Sequence, residues 1–261
     1  MPVAADLYYT LYREQEKDTL PVVLLHGAGG NHLSWATEIR RMQGFRVFAL
    51  DLPGHGKSKG RDGQQMVSEY ANIVLEWLEA AGLRRAVFVG HSLGGAIALA
   101  LAIDNPEYVL GLGLVSTGVR LRVHPGLLEL ASQPAAFYKA IDLLVTNSFG
   151  TKAPARLVEL AAQRMAETRP SVFYGDLLAC DRFDVKEQVN TLRLPVLVIA
   201  GTQDLLTPLR YSQYMADTIP GARLCVIPGA GHMVILEQPG LVARALEEWL
   251  RSIVYNPGEE V

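Results

Sequence analysis

Apolar residues follow two rhythms along this chain. Apolar-rich stretches at residues 22–25, 45–50, 86–89, 109–115, 196–200 and 223–227 read as strands, the one at 22–25 continuously apolar. A continuous run such as 22–25 suits a strand buried on both faces of a mostly parallel sheet. Residues 7–13 add a strand with aromatic character, and a polar turn follows at 14–19. Helical spacing separates the strands. Residues 65–80 place Val67, Tyr70, Val74, Trp77 and Leu78 on one stripe. Further helices are predicted from near Leu33 through Trp35, from 93 to about Asp104, from Pro208, and over 241–253, with a frayed tail at 255–261. The alternation predicts an α/β fold: about seven strands, mostly parallel, with helices on both faces.

The alternation pauses between Thr117 and Lys186. Four short helices are predicted there, at 127–130, 137–145, 156–165 and 172–178, broken by Pro125, Pro134, Pro154 and Pro170. The pattern reads as an insertion between two strands. Residues 1–118 and 187–261 then form the core and 119–186 a helical cap. The cap would cover the C-terminal ends of the strands, where open α/β sheets bind ligands.

Bulk properties narrow the function. With 49% hydrophobic and 20% charged residues in 261, the chain can bury a large core. A net charge of -3 and the absence of a basic stripe argue against nucleic acid. The longest apolar run, 96–103, is too short for a membrane span. The first residues have neither a basic region nor an apolar core, which predicts no signal peptide. Two distant cysteines, Cys180 and Cys225, predict reduced thiols and a cytoplasmic protein. None of these properties fixes an oligomeric state.

The chemistry concentrates at Gly90-His91-Ser92-Leu93-Gly94, which ends the 86–89 run and opens an Ala/Leu-rich helix. Gly-x-Ser-x-Gly alone arises by chance about once in ten chains of this composition; between a strand and a helix it gains meaning. The tight turn lifts the serine hydroxyl above the sheet, and the helix N-terminus offers the Leu93 N–H to negative charge. A serine nucleophile needs a base, and the base an orienting acid. Asp204 follows the 196–200 strand, and Thr207-Pro208 already offers a cap for the next helix, which frees Asp204. His232 follows the last strand in Pro228-Gly229-Ala230-Gly231-His232. His26, His55 and His91 lie in glycine turns, where local backbone bonding is the simpler reading; His32 and His124 read as surface or cap residues.

The order Ser92, Asp204, His232 across a β/α alternation, with His26-Gly27 after an early strand, resembles the α/β-hydrolase fold family. Asp51-x-x-Gly54-x-Gly56-x-Ser58 adds a framework motif of its compact bacterial esterase and lactonase branch. The family's N-terminal hairpin has room here for one clear strand, hence seven strands against the usual eight. The resemblance implies oxyanion donors at Ala28 and Leu93.

Other motifs fail. Gly56-Lys57-Ser58 would need glycine at Asp51 to end a phosphate loop, and Gly27-Ala28-Gly29-Gly30 would need one at His32 to bind a dinucleotide. No His-Glu-x-x-His or Cys/His cluster suggests zinc, and no cofactor is implied. The expectation is a serine hydrolase acting on a carboxylic ester of a small molecule. A lactonase, a C–C bond hydrolase, an acyltransferase or a non-enzymatic receptor of the same fold are the alternatives. Phe137, Tyr138, Phe173 and Met233 are the candidate substrate-binding residues, with Leu127, Leu143, Phe149 and Leu178 as further cap residues. Arg120 and Arg122 read as a solvated cap edge.

Overall fold

The structure, a computed structural model, describes residues 3–13, 19–58, 60 and 62–255. Most of the polar turn expected at 14–19, and residues 256–261 of the expected tail, lie outside them. Among the described residues the sheet has eight strands: β1 (Val3–Ala4), β2 (Leu7–Tyr12), β3 (Pro21–Leu25), β4 (Arg46–Leu50), β5 (Ala86–His91), β6 (Val109–Val115), β7 (Val196–Gly201) and β8 (Arg223–Ile227), in the order β1-β2-β4-β3-β5-β6-β7-β8. β1 and β2 pair antiparallel, as do β2 and β4; every other pairing is parallel. The eighth strand is β1. Its two residues pair with Leu7 and Tyr8 across a turn in which Ala5 and Asp6 take positive φ. A two-residue strand is too short to leave a period in the sequence.

The helices are α1 (Thr37–Arg40), α2 (Val67–Ala80), α3 (Leu93–Asp104), α4 (Pro125–Ala131), α5 (Phe137–Thr146), α6 (Ala155–Met165), α7 (Pro170–Arg182), α8 (Leu209–Thr218), α9 (Val234–Glu237) and α10 (Pro239–Leu250). The helix expected near Leu33 is a 3₁₀ turn over His32–Ser34 followed by α1, and the buried Trp35 joins them. One face of the sheet packs on α2 and α3 through Phe88, Trp77, Ala96 and Ile97. The other packs on α1 and α10 through Trp35, Ile39, Leu246 and Trp249. Burial on both faces explains the apolar character of β3 to β7, whereas the edge strand β8 is buried only at Ile227.

Helices α4–α7 lie between β6 and β7, close to the expected spans, and carry a cluster of their own around Leu127, Phe137, Ile141, Phe173 and Leu177. The Asp51 motif is a brace. The buried Asp51 carboxylate accepts from His32 N (2.7 Å), His32 Nδ1 (2.7 Å) and Lys57 N (2.8 Å). His32 is therefore buried against Asp51 and is not a surface residue. Among the described residues no helix is long and apolar enough to cross a membrane, and both cysteines are free.

The turn after β5 needs its glycines. A Cβ on Gly90 would lie 2.1 Å from the Gly94 carbonyl oxygen, and one on Gly94 would lie 2.1 Å from that of Leu25. Both neighbours are backbone and cannot give way. Gly90→Ala or Gly94→Ala should cost more than about 3 kcal/mol or abolish folding. Gly240→Ala, where nothing lies within 4 Å, should be neutral or stabilising by up to about 1 kcal/mol. Urea unfolding of the three variants checks the contrast.

Candidate active site

Ser92 stands between β5 and α3 at φ 52, ψ -115, a conformation costing about 1–3 kcal/mol for a residue with a side chain. The surroundings hold it there. Its N–H donates to the Val115 carbonyl (3.0 Å), and its carbonyl accepts from Thr117 Oγ1 (2.8 Å), Gly95 N (2.9 Å) and Ala96 N (3.2 Å).

Asp204, after β7, and His232, after β8, meet. His232 Nδ1 stands 3.0 Å from Asp204 Oδ2 and 3.2 Å from Oδ1, with both residues buried. Carboxylate oxygens only accept, so Nδ1 carries a proton and donates it to Asp204. Asp204 Oδ1 also accepts from Leu206 N (2.9 Å) and Thr207 N (2.8 Å). Thr207 Oγ1 donates to Asp204 Oδ2 (2.7 Å) and lies 3.2 Å from His232 Nδ1. Thr207 therefore does not cap the helix after it: α8 has no side-chain cap. The hydroxyl is part of the acid–imidazole pair instead. Burial alone would raise the Asp204 carboxyl; His232 and the Thr207 donors outweigh it and hold the group down to about 2.

Ser92, His232 and Ala28 line one cavity of about 180 Å³, with an apolar wall that includes Leu121, Leu127, Phe149, Leu177 and Met233. Arg122, His124 and Arg164 stand on its lining too. Leu93 is fully buried and is not on the lining. Among the described residues neither the Ala28 nor the Leu93 N–H donates within the protein.

The remaining histidines divide. His26 Nδ1 donates to its neighbour Gly27 O (2.8 Å), local bonding as expected, while Nε2 accepts from the distant Leu52 N (3.0 Å). Burial pushes it down to about 4. His91 does something longer in range: Nε2 donates to the His232 carbonyl (2.9 Å). Burial, then the neighbouring His232, push His91 down to about 3, so it stays neutral beside that imidazole. His55 Nδ1 donates to Pro53 O (3.0 Å) and Nε2 to Asp176 Oδ2 (2.8 Å). Burial lowers His55, but Asp176 outweighs it and the net shift is upward, which makes this a buried ion pair. His124 caps α4, accepting from Gly126 N. Among the described residues no group of three or more His, Cys, Asp or Glu is placed to hold a metal.

The sequence profile of the alpha/beta hydrolase fold matches residues 21–239. The chain belongs to this family. Pimeloyl-[acyl-carrier protein] methyl ester esterase of Yersinia enterocolitica is 30% identical over 249 residues, covering 89% of this chain and 93% of that protein. A thermophilic esterase of known structure is 36% identical with a TM-score of 0.80, covering 95% and 94% of the two chains. The enol-lactonase from Burkholderia xenovorans LB400 is 23% identical with a TM-score of 0.88, covering 94% and 96%; at that identity the likeness is one of fold.

Within this alpha/beta hydrolase frame, the expected substrate-binding residues divide by their position relative to the cavity. Met233, Leu127 and Phe149 line the cavity; Phe137, Tyr138, Phe173, Leu143 and Leu178 do not. Tyr138 is 68% exposed on the outer side of α5. Phe137 and Phe173 stack edge-on in the insertion's own core, ring centroids 5.7 Å apart. Arg122 lines the cavity while reaching Asp184 at 3.8 Å, and Arg120 pairs with Asp184 at 3.3 Å. Thr207, His91 and Asp176 are not legible as site residues in the sequence. Only Asp176 leaves a signal there, an acid among the apolar positions of its predicted helix.

Because the folded Asp204 carboxyl titrates below its ordinary value of 3.8, its contribution to stability is complete above that value. It is lost as pH falls through it toward about 2. The stability gap between the wild-type protein and Asp204→Asn should therefore be widest near about pH 5 and shrink toward about pH 2. Denaturant unfolding across that range measures it.

Proposed function

We propose that the protein is a serine hydrolase of small carboxylic esters. The observation that carries this reading is the Asp204–His232 pair. Its imidazole is held through Nδ1 with Nε2 free, on the same cavity as a serine locked at a strained strand-to-helix turn. In this reading Ser92 Oγ attacks the ester carbonyl and His232 Nε2 takes its proton. Asp204 holds the tautomer and stabilises the imidazolium. The oxygen gains negative charge as the C–O π bond opens, and Ala28 N–H and Leu93 N–H bind it. The two donors are free of partners within the described chain, which supports that role. Collapse of the intermediate expels the alcohol, protonated by His232. Water, activated by the same imidazole, then releases the acid and restores Ser92.

The lining sets the substrate class. The cavity is small and mainly apolar, which suits a short acyl or alcohol group. The helical insertion acts as a cap, since α4–α7 and their flanking loops supply most of the apolar wall. The esterase names of the relatives at 30% and 36% identity support ester hydrolysis as the first chemistry to test. The same machinery would accept a lactone carbonyl, and an assay panel of activated esters, lactones and thioesters separates the choices.

Ser92→Ala should lower kcat by about 10⁴-fold or more with the fold intact, because only binding and oxyanion contributions survive. His232→Ala should be nearly as damaging, and the double variant no worse than Ser92→Ala, because the two act as a unit. Near-normal turnover in Ser92→Ala, or failure of a fluorophosphonate to label Ser92, would refute the assignment.

A further inference from the structure

The loop after β3 is a turn closed by Gly30 N–H donating to Gly27 O (3.0 Å), with Gly29 at φ +64. Three peptide planes make up this turn. The first carries the Gly27 carbonyl and the Ala28 N–H, and its oxygen also accepts from His26 Nδ1 (2.8 Å). The other two are held from the helical insertion. The Gly29 N–H donates to Asp176 Oδ2 (2.8 Å) on α7, and the Gly29 carbonyl accepts from Thr168 Oγ1 (3.1 Å) between α6 and α7. A Cβ on Gly29 would meet Met165 at 2.8 Å and Phe173 at 3.1 Å, so the insertion packs on the same residue. Asp176 is itself aimed: His55 Nε2 (2.8 Å) and Tyr70 OH (2.5 Å), both from the core, donate to its carboxylate, and it is fully buried.

We infer that Asp176 and Thr168 are positioning residues for the oxyanion loop, so that the insertion sets the direction of the Ala28 N–H as well as the shape of the pocket. The inference rests on the proposed donor role of Ala28. The coupling is geometric. Thr168 fixes the plane that contains the Gly30 N–H. That N–H bonds Gly27 O, which shares its plane with the Ala28 N–H. Asp176 fixes the plane between them. Loss of either anchor leaves the turn free to rotate about Ala28, and a displacement of about 1 Å at a reacting group can cost on the order of 100-fold.

The test compares kcat and KM for a p-nitrophenyl acetate series with the inhibition constants of two ketones. A trifluoromethyl ketone forms a hemiketal: the Ser92 Oγ–C bond forms, the carbonyl π bond becomes an oxyanion, and the proton passes to His232. The matching methyl ketone binds without that charge. In Thr168→Val, kcat should fall about 5- to 10-fold and the trifluoromethyl ketone should weaken by the same factor. KM and the methyl ketone constant should stay within about twofold, and Thr168→Ser should restore kcat. Asp176→Asn should lower kcat by about 10- to 100-fold with the same pattern. Unchanged kcat and trifluoromethyl ketone affinity in folded Thr168→Val and Asp176→Asn would overturn the inference, as would losses confined to KM and the methyl ketone. If Asp176→Asn does not fold, Thr168→Val with its serine rescue decides. Ser92→Ala runs alongside: retained turnover there overturns the nucleophile, whereas its loss together with wild-type positioning variants overturns the positioning role alone.

Discussion

The tight turn at Ser92 is the constraint on which the rest depends. A side-chain-bearing residue at positive φ is stable only where its neighbours over-determine it. Here four hydrogen bonds fix the two peptide groups of Ser92, and two of the partners, Val115 and Thr117, come from the end of β6. At about 1 kcal/mol net for each bond, the set offsets a strain of about 1–3 kcal/mol. The approach of α3 to β3 that this requires explains the small residues at the head of the helix. A Cβ on Gly95 would lie 2.6 Å from Thr117, and one on Gly27 2.9 Å from His91 Nδ1. The strained serine, the glycines around it and the order of the central strands are one packing solution.

Hydrogen bonds tie the insertion to the core at two loops of the candidate site. One is Gly29, gripped by Asp176 and Thr168. The other is the loop before His232. Glu237 accepts from Gly231 N (2.8 Å) and from Gly150 N (2.9 Å) at the end of α5's connection, while Met233 N donates to Ser148 O (2.9 Å). Backbone passes so close there that a Cβ on Gly231 would lie 2.5 Å from Gly150 N. Breaking a buried ion pair such as His55–Asp176 costs about 3–5 kcal/mol. Helices joined to the sheet by such contacts are not free to move as a separate lid without breaking them.

These attachments mark the boundary of what the sequence makes legible. The central strands β3 to β7 are readable because they are buried on both faces, which keeps their positions almost all apolar. The turn at Ser92 and the loops bearing Asp204 and His232 are readable because they punctuate those runs with glycine. β1 is not: two residues closing a hairpin through positive φ at Ala5 and Asp6 leave no period. The aromatic residues of the insertion mislead. Phe137 and Phe173 sit at helical spacing suited to any apolar surface, and the spacing does not distinguish a pocket wall from the insertion's own core. Thr207 misleads for a different reason. Its place before Pro208 fits a cap, yet Asp204 lies three residues upstream and takes both its N–H and its hydroxyl.

Asp176 shows how one such residue can be found. On α7, Val172, Phe173, Leu177 and Cys180 are buried, and the acid falls among them on the same stripe. A carboxylate on an apolar stripe must either be neutralised or meet donors, because an unpaired buried charge is too costly. The sequence therefore demands partners for Asp176 without naming them. The structure supplies three, from β3's loop, from the Asp51 motif's His55 and from α2's Tyr70. Each comes from a different part of the core. A residue of that kind is better placed to align segments than to add stability, since an apolar side chain of similar size would fill the space without the desolvation cost. That preference for alignment is the physical reason to look for its effect at Gly29 first.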